Sequence, residues 1–346
     1  MGLFSKKAEL NTPNTNKDQL IKIDQVFPLT NRSHPPKRLR KLTEEQFSKY
    51  NEVLSHFKDE SLTLPISTDP SSDKLPLNSW EMFWLSRECI YRYLKAQKWN
   101  VANAIKALTN TLTWRRESGL VKGINKQLDP NEIGIENETG KEVILGYDYS
   151  DRPVFYMRNG RQNTESSFRQ VQHLIFMAER TVMLCPQGVD SMSVLVDFKK
   201  YKGPGIISDK APPVSIAKAC LGAFENHYPE RLGRMLFTNI PWFIWAFIKL
   251  MYPFLDPDTK EKVVFDEPFE KYVDPKQLDS LYNGLVDFQY SHKLYWPDFV
   301  EKTEALYQKQ YERFVKFGGV IGLSEFDFKG DHDEMIYPVD CDMTKI

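Results

Sequence analysis

The stretch PWFIWAFIKLMYPFLDP, residues 241–257, constrains this chain more than any other. Pro241 and Pro253 bracket it, so a helix here holds about a dozen residues, or about 18 Å at 1.5 Å per residue. A membrane span needs about 30 Å. Trp242, Phe243, Ile244, Trp245, Phe247, Ile248, Leu250 and Met251 cover every side of the helical wheel, and Lys249 is its one charge. Asn239 is placed to cap this helix and Pro241 suits its first turn. A helix apolar all round is either buried or faced by lipid. A core helix is one reading. The two tryptophans, with little Ala, Gly or Leu to let neighbours approach, suit a membrane–water boundary equally well. Composition leaves both open.

The chain of 346 residues has 13% aromatic residues, so it must place an unusual amount of bulky apolar surface. Its net charge of -1 argues against whole-protein steering to nucleic acid. Cys89, Cys185, Cys220 and Cys341 form no CxxC pair and read as thiols in a reducing compartment. MGLFSKK has no long apolar segment of a secretory signal, and Lys6 stands where a myristoylation motif wants Ser or Thr. A cytosolic protein is expected.

Residues 1–79 read as a polar, proline-punctuated arm, partly ordered, with one helix from Glu44 to about Phe57 capped by Thr43. From Trp80 the spacing of Phe83, Trp84, Cys89, Ile90 and Leu94 predicts one helix, and a second follows over 101–117 with Gly119 as its stop. These form a helical subdomain over 80–124. Strands are expected in KEVILGYD, RPVFYMR, SVLVDF, RMLFTNI and KVVF, with helices over 165–184 and from Pro213 to about His227. The alternation argues for an α/β domain over 125–300, and the apolar strands near 194 and 235 for a sheet covered on both faces. Residues 301–346 read as the end of a helix that starts near Asp298, followed by a polar tail.

Nucleotide-binding glycine loops, HExxH and GxSxG are missing, and the six histidines are scattered, so neither a catalytic residue nor a metal ligand is assigned. Two polar stretches remain. In YPERLG, Glu230 is either a solvated loop charge or salt-bridge partner of Arg231, or an acceptor for a hydroxylated ligand. In DPDTKEK, Thr259 and Lys262 are either solvated turn residues or a hydroxyl and a cation poised for phosphate.

Taken together, RYLKAQKW (92–99), TWRRESG (113–119), DRPVFY (151–156), VDFK (196–199), HYPERLG (227–233), TNIPWF (238–243) and PFLDPDTKEK (253–262) resemble the CRAL-TRIO lipid-binding family. The resemblance covers about residues 80–296. It points to the fungal phosphatidylinositol transfer branch, and within it to the yeast members linked to azole resistance and phosphatidylserine metabolism. The resemblance implies the CRAL-TRIO fold: a helical N-terminal subdomain, then a mixed β-sheet with helices enclosing a lipid pocket closed by a gate helix. It implies a non-enzymatic carrier of phosphatidylinositol between membranes, with a phospholipid as cargo and no cofactor. Partners would be membrane surfaces, transiently, and enzymes of phospholipid metabolism. A sterol or other hydrophobic ligand, or an adaptor role, is the alternative.

By the same resemblance the headgroup is read by Glu230, Thr259 and Lys262, with Gln97 and Lys98 from the RYLKAQKW segment. Gln97 replaces a family Arg. Met192 and Val194 replace a Ser and a Thr that help read phosphatidylcholine, which argues against that lipid as second ligand. The gate helix, 241–252, would meet the bilayer through Trp242, Phe243, Trp245, Phe247 and Ile248. Asn283-Gly284 replaces a glycine pair, with Gly284 as the hinge.

Overall fold

The computed structural model describes residues 20–26, 35–207, 213–252 and 257–346, without the side chains of Val214, Phe247, Leu250, Met251, Asp258 and Thr259. Near the start, β1 (Ile21–Ile23) pairs in parallel with β9 (Val286–Phe288). The first long helix is set by a capping box. The Gln46 N–H donates to Thr43 Oγ1 at 3.2 Å, and the Thr43 N–H donates to Gln46 Oε1 at 3.1 Å. These contacts start α1 (Glu44–Phe57), whose Tyr50, Val53, Leu54 and Phe57 are buried. They share a core with Cys89, Ile90 and Leu94 and with Ala104 and Leu108. This stretch of the expected arm is therefore part of the helical core.

β2 (Thr63–Pro65) and β3 (Lys74–Pro76) form an antiparallel pair. The helix expected from Trp80 onward is two helices, α2 (Ser79–Trp84) and α3 (Arg87–Ala96). Leu85 leaves helical geometry, and Ser86 caps afresh by accepting from the Cys89 N–H at 3.0 Å. α4 (Val101–Glu117) carries Arg116, fully buried, whose guanidinium pairs with Glu81 at 2.6 Å and donates to the Pro76 carbonyl at 2.9 Å. This one side chain ties β3, α2 and α4 together.

After the short α5 (Pro130–Gly134) the sheet begins. Its strands are β4 (Glu142–Tyr147), β5 (Pro153–Arg158), β6 (Met192–Asp197), β7 (Leu232–Thr238) and β8 (Val263–Phe265), in the spatial order β4-β5-β6-β7-β8. β4 is antiparallel to β5 and the other neighbours run parallel, so the sheet is mixed. α6 (Phe168–Met183) joins β5 to β6, and α7 (Val214–His227) joins β6 to β7. α8 (Trp242–Met251) and α9 (Pro257–Lys262) lie between β7 and β8.

At its C-terminal end the chain departs from the expected pattern. α10 (His292–Lys316) starts well before Asp298 and keeps Pro297 inside. Burial of Tyr295, Trp296 and Phe299 offsets the one backbone hydrogen bond that proline cannot make. Beyond it, α11 (Glu325–Lys329) and the residues expected as a polar tail fold back onto the helical core, burying Ile321, Leu323, Phe326, Phe328, Tyr337 and Met343.

Candidate functional site

The turn before β7 aims two neighbouring charges apart. Glu230 adopts the left-handed conformation, φ +61°, which a non-glycine residue takes up rarely and at some cost. The Arg231 N–H donates to the Tyr228 carbonyl at 3.2 Å, closing the turn. Arg231 points inward, donating to the Asp190 carbonyl at 2.8 Å and lying 3.5 Å from Glu325. Glu230 points the other way. Its carboxylate meets Lys95 Nζ at 2.6 Å and Lys262 Nζ at 3.9 Å. The expected local pair between Glu230 and Arg231 is not formed, because the turn sends them to different partners.

Lys95 reaches Glu230 because of helical spacing. It lies three residues after Arg92 on α3, and residues three apart share a face. Arg92 is buried and bonds Glu325 at 2.8 Å, which anchors that face beneath the turn. Burial pushes Glu325 up, but Arg92, Lys329 and Arg231 outweigh it and hold the carboxyl well below the usual range. The adjacent Glu88 is raised, by burial first and then by the Glu325 charge.

A cavity of about 440 Å³ opens beside this turn. Its wall includes Lys95, Glu230, Lys262, Arg152 and Arg234, with Lys37, Arg38 and Arg40 from the chain before α1. Arg152 is held by Ser191 Oγ at 3.2 Å and Asp148 at 3.4 Å. Arg234 lies over the Tyr272 ring at 4.8 Å. The arrangement places a hydrogen-bond acceptor among cations, which suits a ligand bearing both hydroxyls and a phosphate.

An apolar face runs behind it. The register Val194–Met235–Val263 and Val196–Phe237–Phe265 puts these side chains on one side of the sheet. Leu236 and Thr238 point to the other side and are buried, whereas Met235, Phe237, Val263 and Phe265 are only half-buried. The rings of Phe198, Phe237 and Phe265 follow one another at 6.3 and 5.4 Å. α8 covers part of this face, with the Trp245 ring 5.0 Å from that of Phe265. Trp242 is 82% exposed and Phe243 is exposed beside it, while Trp245 and Ile248 are half-buried. Trp242, at the start of the helix, is thus open to solvent, whereas Trp245 one turn on packs against the sheet. Pro241, not Asn239, occupies the cap position, and the Asn239 amide instead donates to Asp197 at 2.8 Å. Among the described residues no helix is long and apolar enough to cross a membrane.

The structure therefore brings together Glu230 and Lys262. Thr259 lies in α9 and Phe247 in α8, but their side chains fall outside the described set. Gln97 ends α3, and Lys98 and Trp99 turn away through left-handed conformations, φ +50° and +61°. Neither Gln97 nor Lys98 lines the cavity. Lys95 takes that place, and the spacing of Glu88, Arg92 and Lys95 on one helical face was the available signal for it. Met192 and Val194 are buried in the apolar core. Gly284 follows Asn283, itself left-handed at φ +66°, and is pressed so close to Leu278 that an added Cβ would stand 1.7 Å from that carbonyl oxygen.

The CRAL/TRIO domain model matches residues 137–284 and the CRAL/TRIO N-terminal domain model residues 49–110. The phosphatidylinositol transfer protein PDR17 of Saccharomyces cerevisiae is 55% identical, over 98% of this chain and 99% of that protein. This chain belongs to the CRAL-TRIO family. A CRAL-TRIO domain-containing protein of Schizosaccharomyces pombe is 43% identical over 85% of this chain, which corresponds to 28% of that protein. The phosphatidylinositol transfer protein CSR1 of Eremothecium gossypii is 25% identical over 60% of this chain and 50% of that protein. The CRAL-TRIO matches span the turn with Glu230, the helix with Lys95 and the segment with Lys262.

Proposed function

We propose that this chain binds phosphatidylinositol and transfers it between membranes as a non-enzymatic carrier, and so serves phospholipid metabolism. One observation carries the reading: Glu230 and Lys262 meet at the mouth of a cation-rich cavity, next to a half-covered apolar sheet face under α8. The name of the 55% identical yeast relative supports it. Glu230 accepts from inositol hydroxyls, Lys262 and Thr259 donate to the phosphate, and the acyl chains lie along the apolar face. Each buried CH₂ contributes about 0.8 kcal/mol, so the chains supply most of the affinity and the headgroup contacts set specificity. α8 acts as the gate, touching the bilayer through Trp242 and Phe243, and the protein works in the cytoplasm, peripherally on internal membranes.

Transfer of labelled phosphatidylinositol between liposomes tests this. Glu230→Ala and Lys262→Ala are expected to abolish transfer while thermal unfolding stays that of a folded protein. Unchanged transfer in both would remove the headgroup assignment. Mass spectrometry of lipid extracted from purified protein decides the ligand, and a sterol in place of phosphatidylinositol would overturn the reading.

A further inference from the structure

The wall of the cavity includes a segment that lies outside both family-model matches. Residues 35–42 run across its mouth ahead of α1. Two backbone contacts pin this segment. At one end Lys37 lies against Gly188, φ +76°, where an added Cβ would stand 2.5 Å from the Lys37 carbonyl oxygen. At the other the Leu42 N–H donates to the Met343 carbonyl at 2.9 Å, and Leu42 itself is buried. The strap is thus held in place by packing rather than by its own charges.

Those charges are unspent. Lys37, Arg38 and Arg40 are exposed and line the cavity, and none has an ion pair or side-chain hydrogen bond among the described residues. Three other cations of the lining behave differently: Arg92 is paired with Glu325, Lys95 with Glu230, and Arg152 with Asp148. Nine cationic side chains line the cavity against five carboxyls. Three of the nine cations sit on the strap, exposed to solvent.

We propose that Lys37, Arg38 and Arg40 form a cationic strap that closes over the headgroup cavity and holds the phosphate of the bound lipid. The proposal rests on the phosphatidylinositol reading and extends it with residues that set headgroup retention. Three exposed charges add a screened attraction that weakens as salt rises, the Debye length being ~8 Å at physiological salt.

The test uses the full chain and three variants. Protein is equilibrated with phosphatidylcholine vesicles containing phosphatidylinositol, at low and high salt, and bound phosphatidylinositol is measured after separation. In parallel, co-sedimentation is measured with phosphatidylserine–phosphatidylcholine vesicles that lack phosphatidylinositol. The combined Lys37→Gln, Arg38→Gln, Arg40→Gln variant is expected to load about tenfold less phosphatidylinositol, with a flatter salt dependence. Its co-sedimentation and thermal unfolding should match wild type. Gly188→Ala, which displaces the strap through its backbone, should lower loading in the same direction even if the charge variant folds poorly. Wild-type loading in both variants overturns the strap. An equal fall in loading and in co-sedimentation makes the segment a membrane-docking surface and also overturns it. Glu230→Ala separates the two claims. If it loads normally, the headgroup reading itself fails; if it loses the lipid while both strap variants keep it, only the strap fails.

Discussion

Lys95 Nζ stands 2.6 Å from Glu230 Oε2, joining the last turn of α3 to the strained turn that opens β7. The contact is partly solvated, with the two side chains 33% and 22% exposed. Its contribution to stability is therefore about 1 kcal/mol at most. Its effect on the site is larger, because it fixes which way the carboxylate points. Lys95→Met is expected to lower phosphatidylinositol transfer several-fold while shifting the urea midpoint little. A transfer rate equal to wild type would show that Glu230 orients without it.

The two tryptophans of α8 should separate membrane contact from packing. Trp242 projects into solvent, so Trp242→Asp is expected to reduce binding to liposomes and leave thermal stability unchanged. Trp245 lies on Phe265, so Trp245→Ala is expected to cost about 1–2 kcal/mol in urea unfolding. Equal effects of both on liposome binding would contradict the difference in exposure between them.

Glu142 makes stability depend on pH. Burial, with an added push from Glu136, raises its carboxyl from 4.5 to about 8 against the opposing pull of Lys141. The neighbouring His173 Nδ1 is 3.4 Å from it, and burial lowers that imidazole well below its ordinary value. Folded protein thus binds a proton that unfolded chain releases between about pH 4.5 and 8. The stabilisation from Glu142 is full below the unfolded value and is lost as pH rises through about 8. Glu142→Gln removes this dependence. Between pH 5 and 8 the variant should gain on the order of 2–4 kcal/mol relative to wild type, read from urea midpoints at each pH.

Gly284 discriminates a hinge from a tight contact. An added methyl would collide with the Leu278 backbone, so Gly284→Ala is expected to destabilise by about 3 kcal/mol. A change in transfer at unaltered stability would instead support the hinge.

Periodicity and punctuation in the chain were enough for α1, α4 and the order of strands and helices in the α/β part. Those signals are local: the Thr43 cap, the apolar run of β6 and the prolines around α8 act on their own neighbours. The seven ordered motifs were enough for the family, and they singled out Glu230 and Lys262, which the fold brings within 3.9 Å of each other. The break at Leu85 was less legible, since Phe83, Trp84, Cys89 and Ile90 keep helical spacing across it and only the Ser86 cap marks it.

Which charges meet depends on how distant segments pack. Glu230 turns from Arg231 to Lys95 because one residue takes a positive φ, and no local pattern announces that. Leu42, ahead of α1, and Met343, near the C-terminal end, meet on the helical core although almost the whole sequence separates them. PWFIWAFIKLMYPFLDP alone specifies a short helix too apolar for an ordinary surface. Which tryptophan faces water was set by Phe265, a residue beyond the block that claims one side of the helix and leaves Trp242 exposed.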